Sequence, residues 1–117
     1  MFMYDGLMKT ARSYLPATEA ALVALGAQVA AARRELGWTA GELGARVGAS
    51  TALISRIERG APGTAIGTVF EAAIVCGVPL FGVGSRDLGD VAARERDRLA
   101  LLPRHVHQRS VEVDDDF

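Results

Sequence analysis

The sequence predicts an all-α fold of five helices. Half of the residues are apolar, only 6% are aromatic, and alanine and leucine supply most of the candidate core. Apolar residues recur at helical spacing in successive stretches, and those stretches are bounded by capping residues and glycines where helices start and stop. At 117 residues the chain can bury one modest core and is too small for two substantial ones.

Residues 1–17 read as a flexible N-terminal arm. Met1, Met3 and Met8 are scattered among aromatics, no period emerges, and Pro16 marks a break. Phe2 to Tyr4 could pair as a short strand between two copies. Thr18 is an N-cap for a first helix from Glu19 to Leu36, with Leu22, Leu25, Val29, Ala32 and Leu36 as its apolar stripe and Gly37 closing it. Gly26 costs this helix a little.

Thr39 then caps a second helix to about Val47, and Glu42 three residues on completes a capping box. Gly48 ends it, Ser50 caps a third helix running to about Arg59, and Gly60 stops that one. Leu43, Val47, Ala49, Ile54 and Ile57 are spaced so that the two short helices close on each other, and Gly44 sits where they cross. After the turn Ala61-Pro62-Gly63, Thr64 caps a fourth helix to about Cys76, with Ile66, Val69, Phe70, Ala73 and Ile74 on one face. Val78-Pro79-Leu80-Phe81 is an apolar connector that packs on the core, although Leu80 or Phe81 could instead meet a second copy. A fifth helix starts at Ser85 or Asp87 and ends at Pro103. Leu88, Val91, Ala92, Leu99 and Leu102 share its narrow apolar seam, a possible dimer contact, and Asp90 and Arg94 can pair on another face. These boundaries divide the chain into an arm (1–17), a central domain (18–82), a C-terminal helix (83–103) and a tail (104–117).

The net charge of −1 conceals a segregation. Five arginines (Arg33, Arg34, Arg46, Arg56, Arg59) face three acids between Gln28 and Gly60, whereas the last six residues hold four acids and no base. Phosphate neutralisation by arginine is therefore available in the middle of the chain. The lone Cys76 forms no internal disulfide and lies on an apolar stretch, as a buried structural thiol does. No apolar run is long enough to span a membrane and no secretory leader opens the chain, so a cytoplasmic location is expected. His105 and His107 lack further ligands nearby, so no metal is expected, and no cofactor is implied. There is no nucleophile with a base and no phosphate-cradling glycine loop, which leaves no case for an enzyme.

Two short capped helices around a glycine turn make a helix-turn-helix, whose second helix enters the DNA major groove. Trp38-Thr39, Gly48 and the run from Ile54 to Gly60 resemble the XRE, or lambda-repressor-like, family of these domains. The resemblance implies a five-helix domain that binds double-stranded DNA, with a C-terminal amphipathic helix and flexible tail added here. Groove-facing positions are then Thr51, Ala52, Ser55 and Arg56. Arg56 can bond guanine O6 and N7 together, or touch phosphate only. Thr39, Ser50 and Arg59 are backbone-contact positions. The resemblance also pairs Arg33 with Glu58, the alternative being two solvated charges. Family members often carry a glutamine touching phosphate where Ala40 stands, and this chain lacks it.

The order of this domain, one further helix and a charged tail ending Asp-Asp-Asp-Phe also resembles the small HipB-type antitoxins. That resemblance implies a homodimer that represses its own operon at a palindromic operator and binds a HipA-type serine/threonine kinase toxin, as the antitoxin of a type II toxin-antitoxin pair. Arg104, Arg109, Asp114, Asp115, Asp116 and Phe117 are the partner-binding positions. The alternative is a standalone XRE-family regulator with no toxin partner.

Overall fold

The computed structural model describes residues 13–106. It contains five α-helices: α1 (Pro16–Glu35), α2 (Ala40–Val47), α3 (Thr51–Glu58), α4 (Ile66–Val75) and α5 (Leu88–Ala100), the last preceded by a 3₁₀ turn at Ser85–Asp87. The only β pairing among the described residues is an isolated bridge between Leu80 and Val83. The all-α expectation therefore holds. The suggested strand at Phe2 to Tyr4 lies outside the described residues. Two compact units divide at Ser85 and Arg86.

The first helix starts earlier than its sequence suggests. Pro16, expected as a break, occupies its first turn, and Leu15 is the N-cap with no side-chain cap bond. Proline suits that position because its missing N–H would be unpaired there and its φ is already helical. Thr18 is thus inside α1 and caps nothing. The start of α4 moves the other way. Ala65 is its N-cap, and its carbonyl accepts from the Val69 amide at 3.1 Å. Thr64 lies one residue too early for its hydroxyl to reach the free amides of the first turn.

The core joins Val29 of α1, Leu43 of α2, Ile54 and Ile57 of α3, and Ala72, Ala73 and Cys76 at α4, closed by Val78 and Leu80. The buried side of α4 differs from the expected stripe: Ile66 is 69% exposed and Ile74 is also exposed, while Ala72 and Ala73 are fully buried. Positions 69, 72, 73 and 76 are also helically spaced. In a helix apolar nearly all round, spacing alone does not choose the face, and the alanines let its backbone come close to the core.

The contact of α1 with α3 is backbone on backbone. A methyl group added at Gly26 would collide with the Ile57 carbonyl oxygen and come within 2.8 Å of the Glu58 oxygen. Gly60, with φ 75°, leaves no more room: a Cβ there would lie 2.7 Å from the Val23 Cα. Gly26, Val29 and Arg33 form the buried stripe of α1, so the close approach at Gly26 is continued two turns later by Arg33.

At that point Arg33 meets Glu58. Its Nε donates to Glu58 Oε2 at 2.6 Å and its Nη2 to Oε1 at 2.9 Å, while Nη1 donates to the Trp38 carbonyl at 2.8 Å. Both side chains are only 11% exposed. The two charges are paired, not solvated. The bond to Glu58 raises the Arg33 pKa above its usual value, outweighing the opposite effect of burial. Cys76 is buried nearby; burial first, then the Glu58 charge, raises its thiol pKa, and Arg33 partly offsets this.

The connector after α4 splits by residue. Leu80 is buried, whereas Phe81 is 73% exposed. Leu80 and Val83 exchange two backbone bonds of 3.2 and 3.1 Å around a two-residue turn, with Phe81 at φ 53° and Gly82 at φ 76°. This is hairpin-turn geometry of a kind usually given to glycine or asparagine. The Phe81 ring meets Phe70 edge-on at 6.2 Å between centroids.

In the second unit, α5 has no side-chain cap bond at Asp87. Its ion pair is Arg98 with Glu95 at 3.1 Å, and the expected pair of Asp90 with Arg94 does not form. Leu99, Leu101 and Leu102 are exposed.

Two stability outcomes follow from the α1–α3 contact. Gly26→Ala gains at most about 1 kcal/mol of helix propensity but overpacks a backbone contact, at a cost of about 1–3 kcal/mol or more. Its melting temperature should fall, and an unchanged or higher value would show that α1 has room to spare. Glu58→Ala leaves the Arg33 guanidinium buried without its partner and should cost about 3–5 kcal/mol. Thermal melts of this variant, of Arg33→Ala and of the double variant should show strong coupling; additive losses would refute it.

Candidate nucleic-acid interface

The unit formed by α2 and α3 is built from local bonds. Thr39 Oγ1 accepts from the Glu42 amide at 3.0 Å and Glu42 Oε1 accepts from the Thr39 amide at 2.7 Å, so the capping box is complete. Gly48 ends α2 with φ 74°, in the left-handed region. The Ala49 amide then donates to the Gly44 carbonyl at 2.8 Å, and any Cβ at Gly44 would strike the Ala49 carbonyl oxygen. Ser50 Oγ accepts from the Leu53 amide at 3.1 Å and starts α3. Turn length and helix angle are set by these contacts before the core adds anything.

Burial of Ile54 and Ile57 fixes how α3 is rotated. Thr51, Ala52 and Arg56 are then exposed on its outer side. Among the described residues the side chains of Arg56 and Arg59 make no ion pair or hydrogen bond. The planar Arg56 fork is thus available to a base edge, and Thr51 and Ala52 offer a hydroxyl and methyl groups beside it. Ser55 is half-buried and set differently from the other three. It lines an open notch with Ala30, Arg33, Arg34, Ala40, Glu58 and Arg59. Thr39 and Ser50 already accept a backbone amide each, which leaves each hydroxyl hydrogen to be donated outward, as to a phosphate oxygen.

The charge of this surface follows from the pairing beneath it. Arg33 is neutralised by Glu58. Arg34, Arg56 and Arg59 remain exposed, and Arg46 stacks over the Trp38 ring at 4.0 Å from its centroid. That cation–π contact joins the loop before α2 to its last turn. Nothing in the spacing of Trp38 and Arg46 announces it. Of the tail positions, Arg104 is exposed, while Arg109, Asp114, Asp115, Asp116 and Phe117 lie outside the described residues. No helix among the described residues is long and apolar enough to cross a membrane.

Comparison with known proteins agrees with this geometry. No curated protein and no solved structure matches the chain. Residues 24–80, just under half of the chain, match the family model described as a helix-turn-helix domain. The matched span begins within α1, contains α2, the turn, α3 and α4, and ends at Leu80, the last buried residue of the connector. Over residues 24–80, therefore, the chain is similar to helix-turn-helix domains, and its described residues adopt an all-α fold consistent with an XRE-like one.

Proposed function

We propose that this protein is a sequence-specific transcriptional repressor that binds a palindromic operator as a homodimer. The observation that carries this is the exposed, partnerless side of α3: Thr51, Ala52 and Arg56 project from a helix whose angle, rotation and start are held by backbone contacts and the Arg33–Glu58 pair. Arg56 reads a guanine, Thr51 and Ala52 meet the neighbouring base edge, and Ser55 adjoins them. Thr39, Ser50 and Arg59 hold the phosphates on either side. A half-site read by so short a helix gives modest affinity, and two-fold symmetry doubles the contacts.

We further propose that the protein is the antitoxin of a type II toxin-antitoxin pair, neutralising a HipA-type kinase through its tail. The support is in the sequence: a basic stretch with Arg104 and Arg109 followed by Asp114, Asp115, Asp116 and Phe117, a segment suited to docking on another protein. The domain matched at residues 24–80 is compatible with this role and with a standalone regulator.

Selection from a random pool of duplexes should return one palindromic site with half-sites about one DNA turn apart. Against single-base variants of it, Arg56→Ala should lose discrimination of about 1–3 kcal/mol at one base pair per half-site. A uniform loss at every position would make Arg56 a phosphate contact, and recovery of no sequence would reject operator recognition. For the partner, affinity capture of the tagged chain from its host should yield a stoichiometric kinase that is lost on deleting residues 104–117. Capture of no such partner, with operator binding intact, would leave the standalone regulator.

A further inference from the structure

The notch beside α3 has a composition that the base-reading side of the helix does not explain. It is open to solvent, with a volume of about 410 Å³, and is lined by Ala30, Arg33, Arg34, Ala40, Ser55, Glu58 and Arg59. Two of its three arginines are unneutralised. Arg33 is committed to Glu58 and to the Trp38 carbonyl, but Arg34 from α1 and Arg59 from the end of α3 are exposed and have no ion pair among the described residues. Glu58 does not pair with them: its ion-pair partner among the described residues is Arg33. Two guanidinium groups with free donors therefore border the notch, and the small Ala40 side chain leaves it unfilled.

We propose that this notch seats one backbone phosphate of the bound duplex, clamped between Arg34 and Arg59, and that Arg34 is a DNA contact made from outside the helix-turn-helix unit. This rests on the DNA-binding function proposed above. Ser55 ties the notch to α3, since it lines the notch from the same helix that carries Thr51, Ala52 and Arg56. A phosphodiester is the anion that fits: its two unesterified oxygens carry one charge and accept from two arginine forks at once. The contact carries no base information. It fixes the register in which α3 meets the groove and supplies affinity from α1. Arg34 also lies in the last turn of α1, where a cation complements the helix dipole, so a purely structural role would register in stability alone.

The test uses the full chain and the duplex recovered by the selection above, with the dissociation constant followed against salt concentration. Arg34→Ala should lower the slope of log affinity against log salt by about 0.9 for each copy bound, the value for one released phosphate contact. It should weaken all duplex sequences by the same factor, and Arg34→Lys should restore most of the slope. A neutral methylphosphonate at one linkage per half-site should weaken the wild-type chain more than it weakens Arg34→Ala, in which only Arg59 still meets that phosphate. A wild-type slope in Arg34→Ala, or methylphosphonate effects that add to the substitution at every linkage, would overturn the clamp while DNA binding stood. A wild-type chain that bound no duplex at all would overturn the DNA-binding function, and the clamp with it.

Discussion

The bidentate bond between Arg33 and Glu58 is the constraint on which the rest of this domain depends. It joins the last turn of α1 to the last residue of α3, at distances of 2.6 and 2.9 Å, and a third bond to the Trp38 carbonyl holds the chain between α1 and α2. One guanidinium thus ties α1 both to the loop before α2 and to α3. Ion pairs this deeply buried add little net stability compared with apolar groups of the same shape, but they tolerate few alternative geometries. Their contribution here is positional: Glu58 ends the helix whose outer side carries Arg56, so the angle of that helix to α1 is tied to a hydrogen-bond fork.

Packing and electrostatics reinforce each other at this contact. Gly26 and Gly60 bring backbone against backbone, which lets Arg33 reach Glu58 without stretching and excludes the water that would otherwise compete for both. The same pair engages both oxygens of Glu58 and matches its charge to Arg33. It leaves Arg34 and Arg59 without a counter-charge and so gives an overall slightly acidic protein a locally cationic surface. Whole-chain charge is a poor guide to partners when opposite charges are separated along the sequence.

Much of this was legible in the sequence because the signals were chemical and local. Thr39 with Glu42, Ser50, and Gly48 mark helix ends by hydrogen bonds that span three or four residues, and the structure forms each one. What escaped had no local signature. Pro16 begins a helix as readily as it ends one, and α1 takes the first course. The buried side of α4 could not be chosen because apolar residues surround that helix, and the decision fell to the small Ala72 and Ala73. Gly26 looked like a minor fault in a helix, since an approach of two backbones leaves no trace in side-chain spacing. The notch beside Ser55 needed three elements to meet before its arginines became neighbours. The tail positions Arg109 and Asp114 to Phe117 were legible only as composition.

Under the DNA-reading role proposed for α3, its length limits the information that one copy of the protein can extract from a genome. Eight residues make a helix about 12 Å long, which at 3.4 Å per base pair along one strand addresses roughly four base pairs. A four-letter word recurs by chance about once in every 250 base pairs, whereas a bacterial-sized chromosome offers on the order of a million or more competing positions. No strengthening of Arg56 or of any phosphate contact changes that arithmetic, because affinity and address length are different quantities. A unique address requires the word to be doubled, by symmetry or by a second protein, and the brevity of one helix makes assembly a condition of selectivity.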